Sequence, residues 1–340
     1  MSDQLTYVLI TSTALHKART GGILARLLSR SGLNLVAGRL FDPSQELAEG
    51  LAASLSSEQL TANYLRHQLS KPQHHALFLL LSGVDAISKV SEIVGYDKTM
   101  HGRGETLRDT YGDLIVRGKE ILYFEPGVIA PRNKQEATAG LSLLAQFSDS
   151  DGGILDSSSE FPSGAALEKT LVLIKPDNFH FPNTRPGGVI DLLARTGLAL
   201  VGFKVQQMSI AQAKIFYGPV LEVLEAKLPD GRMHWESIIE FMSGGRPSVA
   251  PEEEHELPGS QRCIALIYQG RDAVRKIREA LGPTDPSKAP HGTIRKEFGR
   301  DIMVNGAHAS DSSESFKREI KIIAINENNF KTAIAAHFSH

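Results

Sequence analysis

The sequence has a single cysteine among its 340 residues, Cys263, so no disulfide can form within the chain. No apolar stretch approaches the ~18 residues of a membrane span, and the start, MSDQLTYVLITS, lacks the basic and apolar regions of a signal peptide. The formal net charge is −2 and no Lys/Arg run stands out, which disfavours binding to nucleic acids or anionic membranes. We therefore expect a cytoplasmic protein without membrane contact.

The common short signatures of phosphate-binding and hydrolytic sites are also missing. The chain contains no Walker A pattern, no H-E-x-x-H and no G-x-S-x-G. Its 41% hydrophobic and 22% charged residues are ordinary for a globular protein. A chain of this length favours two domains over one.

The chain repeats one pattern twice. The stretch YVLIT…GGILARLLSRSGLNLVAGRL returns as LVLIK…GGVIDLLARTGLALVGFKV, and LFLLLSGVDAISKVSEIVG returns as CIALIYQGRDAVRKIREALG. Gly22 thus corresponds to Gly188, and Arg108 to Arg295. The second copy is longer, and we expect its extra residues to form surface loops at 225–233 and 246–262.

A Ser-, Asp- and Gly-rich stretch, SDSDGGILDSSSEFPSG, separates the copies. Its acidic residues do not have the spacing of an EF-hand, so a flexible linker is the better interpretation. The predicted units are a first domain over 1–147, a linker over 148–166 and a second domain over 167–340.

Each copy has the same predicted order of elements. In the second copy, short apolar runs at 170–176, 198–208 and 263–270 alternate with helical patterns. The order β-α-β, helices, β-α-β is typical of a ferredoxin-like βαββαβ unit. We therefore predict an α+β fold with two such domains, each an antiparallel sheet with helices on one face.

His308 has unusual neighbours in VNGAHASDSSES. Asp311 and Glu314 form a capping pattern that predicts a helix from about Ser312, with its positive end near the imidazole. Four more groups that suit phosphate oxygens come earlier in this copy, namely Lys175, Arg278, Thr284 and Arg295. Taken singly, a surface histidine, solvated arginines and a strand-end lysine would each be unremarkable. Together they favour a polyphosphate site.

The second copy resembles the nucleoside diphosphate kinase family over about 168–325. The family pattern N-x-x-H-x-S-D matches Asn305, His308, Ser310 and Asp311. IKPD at 174–177 matches the first-strand motif, and GPTDPSKAPHGTIRKEFG matches the long phosphate loop. The resemblance implies ping-pong transfer of a γ-phosphoryl group between nucleoside tri- and diphosphates, through a phosphohistidine at His308.

The resemblance also implies a role for each matching residue. Glu319 would orient the ring of His308, and Ser310 would bind Glu319. Lys175 and Asn305 would hold the ribose hydroxyls and the migrating phosphoryl group. The non-transferred phosphates would be held by Arg278, Thr284 and Arg295. Mg²⁺ would enter with the nucleotide, with no dedicated metal ligands from the protein.

The base-binding region departs from the family. Tyr217 matches the family tyrosine, but His234 and Trp235 stand where the family has a Phe-Phe pair that stacks on the base. The resemblance therefore makes Tyr217 and His234 candidate nucleotide contacts without deciding which residue stacks.

The first copy keeps the apolar pattern and loses the chemistry. The corresponding positions hold Thr11 for Lys175, Ser91 for Arg278, Asp97 for Thr284 and, by an ungapped count from Arg108, Ile121 for His308. We expect this copy to be inactive. Since family members assemble from dimers, it is expected to pair with the second copy as an intramolecular pseudo-dimer, within a possible homo-oligomer. The alternative is a nucleotide-binding regulatory or scaffold protein with little or no kinase activity.

Overall fold

Two four-stranded antiparallel sheets organise the computed structural model, which describes residues 3–55, 57–72, 74–97, 103–156 and 166–339. The strands of the described chain are β1 (Gln4–Ile10), β2 (Asn34–Phe41), β3 (Ala76–Gly83), β4 (Asp113–Arg117), β5 (Glu120–Glu125), β6 (Val128–Ile129), β7 (Glu168–Ile174), β8 (Ala199–Gln206), β9 (Cys263–Gly270) and β10 (Ala307–Ala309). The helices are α1 (Ser12–His16), α2 (Thr20–Ser31), α3 (Gln45–Ser54), α4 (Gln59–Tyr64), α5 (Ala86–Val94), α6 (Leu107–Tyr111), α7 (Lys134–Phe147), α8 (Arg185–Ala194), α9 (Ile210–Phe216), α10 (Gly218–Lys227), α11 (Gly231–Ser243), α12 (Ala273–Leu281), α13 (Ile294–Phe298), α14 (Ser313–Ile323) and α15 (Asn329–Phe338).

The two sheets have the same topology. The first has the order β2-β3-β1-β6 and the second β8-β9-β7-β10, with every pair antiparallel. This is the strand order of the predicted βαββαβ unit, and the predicted α+β class is confirmed.

The helical covering is wider than predicted. Alternate residues of β1 point to two different cores, with Val8 and Ile10 in one and Tyr7 and Leu9 in the other. Helix α5 and helix α7 both contact this strand. Helices therefore cover both faces of the sheet rather than one, because its strands are apolar on both sides.

The two halves contact each other directly. Helix α2 packs on α8, and β2 lies against β8. The helices are so close that a Cβ on Gly187 would lie 2.3 Å from the Gly21 carbonyl oxygen. Leu27 of α2 and Ile190 of α8 belong to one continuous apolar core.

Part of the predicted linker is fixed in place. The backbone N–H of Asp42 donates to the Asp151 carbonyl at 2.8 Å, and that of Leu155 donates to Val201 at 2.8 Å. Residues 148–156 are thus hydrogen-bonded to both halves, whereas 157–165 of the predicted linker lie outside the described residues. The domain boundary itself stays a prediction.

The C-terminal helix crosses to the other half. Phe330 and Ile334 of α15 are buried in the core of the first copy, and the Phe330 ring lies 5.7 Å from that of Phe41. The predicted second domain over 167–340 therefore ends in a helix that packs on the first.

The two extra segments of the second copy differ in structure. The loop predicted over 225–233 is mostly helical, since α10 runs to Lys227 and α11 begins at Gly231. The segment 246–262 is a loop with one 3₁₀ turn, and its His255 carbonyl accepts from the Ala211 N–H at 2.9 Å. Across the described residues, no helix is long and apolar enough to cross a bilayer.

Candidate active site

His308 lies on the short edge strand β10, opposite Leu173 of β7. Its Nε2 is 3.1 Å from Glu319 Oε1 on α14. A carboxylate only accepts, so this contact requires the proton on Nε2 and leaves the lone pair on Nδ1. The side chain is 26% exposed, and Phe216 packs edge-on against the ring with 5.1 Å between centroids. The imidazole is therefore held in one orientation with a nucleophilic nitrogen available.

Glu319 is buried and fully engaged. Ser310 Oγ donates to Oε2 at 2.7 Å, while Arg318 Nη2 lies 3.3 Å from Oε1. Arg318 also donates to the Phe216 carbonyl at 3.0 Å, which ties α14 to the end of α9. Helix α14 starts at Ser313 with Ser312 as its N-cap, within one residue of the prediction. Arg318 was not predicted from the sequence, because no motif includes it.

Lys175 follows the end of β7 and points into the same site. Its Nζ donates to Asn305 Oδ1 at 3.1 Å and to the Met303 carbonyl, and lies 4.9 Å from the centre of the Phe241 ring. Burial lowers the pKa of Lys175 to about 8, and the nearby Arg295 contributes in the same direction. In the free protein the charged form of Lys175 is therefore destabilised by the loss of water around it. A bound anion would stabilise that charge.

The arginines occupy the neighbouring wall. Arg295 donates to the Gly282 carbonyl at 3.0 Å and, with Nη2, to the Ala307 carbonyl at 3.3 Å, one residue before His308. Burial lowers its pKa to about 10, with Arg278 as the second cause. Arg278 is exposed on α12. Two guanidinium groups and a buried ammonium thus place a concentrated positive charge beside the imidazole.

Asn305 connects this wall to the phosphate loop. Its Nδ2 donates to the Thr284 carbonyl at 3.1 Å, while its Oδ1 accepts from Lys175. The Thr284 side chain is exposed at the mouth of the site. Asn305 therefore joins Lys175, at the end of β7, to Thr284 of the phosphate loop.

The candidate base-binding residues differ in their exposure to solvent. Tyr217 is buried, and its ring lies 6.1 Å from that of His308. Trp235 is buried and donates to the Tyr217 carbonyl at 2.9 Å, which makes it a core residue. His234 is the exposed member of the pair, with Nε2 3.1 Å from Asp230. Of the two residues at the Phe-Phe position, only His234 can meet a ligand.

The first copy has no counterpart of this imidazole. In the second copy Ile174 pairs with Ala307, and in the first copy the equivalent Ile10 pairs with Val128. The next residue along each edge strand is His308 in the second copy and Ile129 in the first, so Ile129 is the structural equivalent of His308. The ungapped prediction of Ile121 was wrong because the β4–β5 hairpin, absent from the second copy, shifts the count. Ile129 is fully buried and cannot act as a nucleophile.

A buried ion network fills the corresponding phosphate region of the first copy. Arg108, which aligns with Arg295, contacts Glu58 at 2.9 Å and Asp97 at 3.1 Å. Arg132 contacts Glu58 at 2.8 Å and donates to the Ser91 carbonyl at 3.0 Å. Carboxylates of the protein itself therefore neutralise the guanidinium that would otherwise attract phosphate.

Comparison with known proteins points to one family for both halves. The family profile described as nucleoside diphosphate kinase matches residues 4–121 and 168–328. A nucleoside diphosphate kinase of Hydrogenovibrio crunogenus is 32% identical over 154 residues, which are 45% of this chain and 90% of that protein. One from Thermobifida fusca is 32% identical over 156 residues, 46% of this chain and 96% of that protein. Among solved structures, the Aquifex aeolicus nucleoside diphosphate kinase is 29% identical, covers 46% of this chain and 95% of its own, and has a TM-score of 0.36.

Proposed function

Because this chain belongs to the nucleoside diphosphate kinase family, we propose that it transfers the γ-phosphoryl group of a nucleoside triphosphate to a nucleoside diphosphate. The observation that carries the proposal is the oriented His308: Glu319 fixes Nε2, and Arg295 donates to the carbonyl of Ala307, one residue before His308. A site that only bound nucleotides would have no need for a histidine held in this way.

The chemistry divides into two displacements. In the first, Nδ1 of His308 attacks the γ-phosphorus, an N–P bond forms, the β,γ-bridging P–O bond breaks and the nucleoside diphosphate leaves. In the second, a terminal oxygen of another diphosphate attacks the phosphohistidine and frees the imidazole. Glu319 stabilises the Nε2–H through both steps, and no net proton transfer by the protein is needed.

The surrounding residues have positioning roles in this proposal. Lys175 and Asn305 would contact the ribose hydroxyls and the moving phosphoryl group, and Arg278, Thr284 and Arg295 the other phosphates. Tyr217 and His234 would border the nucleoside. Mg²⁺ would enter with the nucleotide, held by the phosphate oxygens.

The first copy would be a structural partner without catalysis. Its Ile129, and the carboxylates around Arg108, leave neither a nucleophile nor a free phosphate site. The contacts of α2 with α8, and of β2 with β8, support an intramolecular pseudo-dimer in which each half covers an apolar face of the other.

The direct test is a coupled assay of phosphate transfer from ATP to GDP. His308→Ala is expected to lower the rate at least about a thousandfold, ~4 kcal/mol of barrier. His337→Ala, on the far helix α15, is the matched control and should keep the wild-type rate. Near wild-type transfer by His308→Ala would contradict the proposal, and the regulatory or scaffold alternative would then stand.

A further inference from the structure

Arg318 contacts two groups that border the imidazole of His308. On one side its Nη2 lies 3.3 Å from Glu319 Oε1, the oxygen that also lies 3.1 Å from His308 Nε2. On the other side its Nη1 donates to the carbonyls of Ile215 and Phe216, at 3.3 Å and 3.0 Å. These are the last two residues of α9, and the Phe216 ring packs edge-on against the His308 ring. One guanidinium group therefore joins the carboxylate and the helix end between which the imidazole lies.

The carboxylate of Glu319 depends on its partners to remain charged. Its side chain is only 4% exposed, and a buried carboxylate is stable as an anion only where donors or cations replace the lost water. Ser310 and the His308 ring supply two of these contacts. In the part of the chain that the structure describes, Arg318 is the one lysine or arginine at ion-pair distance from Glu319. Because an ionised carboxylate only accepts, it keeps the proton of His308 on Nε2.

The first copy shows that the helix itself forms without this arginine. Helix α7 corresponds to α14, with Asn133 as its N-cap where α14 has Ser312. Counting on from the two caps, Ala139 stands at the position of Arg318, and Gly140 follows it where α14 has the carboxylate. The copy without a nucleophile therefore builds the same helix, packed on β1, with neither charge. A role for Arg318 in folding alone does not account for its two sets of contacts.

We propose that Arg318 is a positioning residue for the phosphoryl transfer: it holds Glu319 ionised and in place, and thereby keeps His308 in the form whose Nδ1 is free to attack. The inference rests on the proposed function, and Arg318 acts in it only through Glu319 and the end of α9. Loss of the guanidinium would leave Glu319 without its paired cation and the last carbonyls of α9 without a donor. The imidazole would then lose its single orientation, on which an in-line attack depends.

Rapid-quench labelling of the full chain with γ-³²P-labelled ATP and Mg²⁺ measures the phosphorylation step. Arg318→Met is expected to lower the rate constant at saturating ATP at least about tenfold, because a misaligned nucleophile reacts slowly. The ATP concentration that gives half the maximal rate should stay within about twofold, since the groups proposed to bind the nucleotide are unchanged. The rate constant, unlike the amount of label, does not depend on the fraction of folded protein, so instability alone would not lower it.

Two further variants separate charge from position along the helix. Lys317→Met removes an exposed cation one residue earlier on α14 and, as the matched control, should be labelled at the wild-type rate. Arg318→Lys keeps the charge without the planar fork, and it should be labelled at least about threefold faster than Arg318→Met.

NMR of protein labelled with ¹⁵N-histidine gives a second readout that needs no kinase activity. The His308 signals, identified by their loss in His308→Ala, are expected to show the Nε2–H tautomer in the wild type and in Lys317→Met, and a mixture of both tautomers in Arg318→Met. The proposal is overturned if Arg318→Met is labelled at the wild-type rate, if Arg318→Lys is no faster than Arg318→Met, or if the tautomer is the same in all variants. A wild type without any label would contradict the proposed transfer instead, and the tautomers would then decide the role of Arg318.

Discussion

At the scale of single residues, Lys175 is a buried ammonium group in the candidate active site. Its ammonium group is buried among two oxygen acceptors, an aromatic ring and a neighbouring guanidinium. The desolvation that lowers its pKa would be offset when phosphate oxygens arrive. The same residue is thus unfavourable for folding and favourable for binding.

This has a measurable consequence for stability against pH. Between the folded pKa of about 8 and the unfolded value of 10.5, the unfolded chain holds a proton on Lys175 that the folded chain has released. Stability from this group therefore rises with pH across that window. We expect the melting temperature of the wild type, minus that of Lys175→Met, to increase by at least about 3 °C from pH 7.5 to pH 10.

Circular dichroism melts of both proteins at several pH values measure that difference. Taking the difference removes the titration of groups that both proteins share, including the buried Lys204. A gap that is constant or shrinks over this range would show that Lys175 is not the desolvated group described here.

Most of the site was predictable at this scale because its residues lie in short motifs. His308, Ser310 and Asn305 share one motif, and Glu319 follows at the family spacing. Arg318 was not predictable, because a charged residue on an amphipathic helix is usually solvated and only tertiary structure brings it to the end of α9.

At the scale of elements, buried ion pairs join three elements of the first copy, in the region where the second copy would bind phosphate. Glu58 precedes α4, Arg108 lies on α6 and Arg132 precedes α7, so one carboxylate joins three elements. The side chains of all three are almost fully buried. Removing one partner leaves the others charged and unpaired.

Glu58→Gln is therefore expected to lower the free energy of unfolding by about 3 kcal/mol. Urea unfolding followed by circular dichroism measures it. The matched control is Glu279→Gln, which breaks an exposed pair with Arg275 at 2.9 Å and should leave the unfolding midpoint unchanged. Equal midpoints for wild type and Glu58→Gln would mean that the network does not stabilise the first copy.

The hairpin β4–β5 marks the limit of element prediction. The repeat predicted the strands and crossover helices of both copies, because their apolar periodicity is kept. The repeat gave the wrong first-copy equivalent of His308, because the β4–β5 hairpin lies outside the main sheet and has no counterpart in the second copy. The correct equivalent, Ile129, follows only from the pairing of β1 with β6 in the structure.

At the scale of the whole molecule, the close crossing of α2 and α8 joins the halves. A Cβ on Gly187 would meet the Gly21 oxygen at 2.3 Å and the Ala25 nitrogen at 2.4 Å. These are backbone atoms in helices, which cannot move aside as a flexible side chain can. The contact therefore requires glycine for its lack of a side chain.

Gly187→Ala is expected to lower the free energy of unfolding by about 1–3 kcal/mol through overpacking. Gly218→Ala is the matched control: it opens α10, where an added Cβ meets nothing within 4 Å, and it should be neutral or stabilising by less than about 1 kcal/mol. Urea unfolding compares the two. If both variants have the same free energy of unfolding, α2 and α8 do not pack as closely as described here.

The arrangement of the halves was only partly accessible from sequence. Their pairing as a pseudo-dimer was expected by resemblance and stays a proposal; the structure shows contacts of α2 with α8 and of β2 with β8. The return of α15 to the first copy was not expected, because the burial of Phe330 and Ile334 depends on a surface that the other half supplies.

The central claim is that His308 carries the phosphoryl group, and trapping that species tests it most directly. The full chain is incubated with Mg²⁺ and γ-³²P-labelled ATP without an acceptor, then denatured at alkaline pH. We expect label on the protein that survives base, is lost in acid, maps to His308 and moves to GTP when GDP is added before denaturation. Label that is equally strong on His308→Ala, or phosphate transfer to GDP without any labelled protein, would contradict the account.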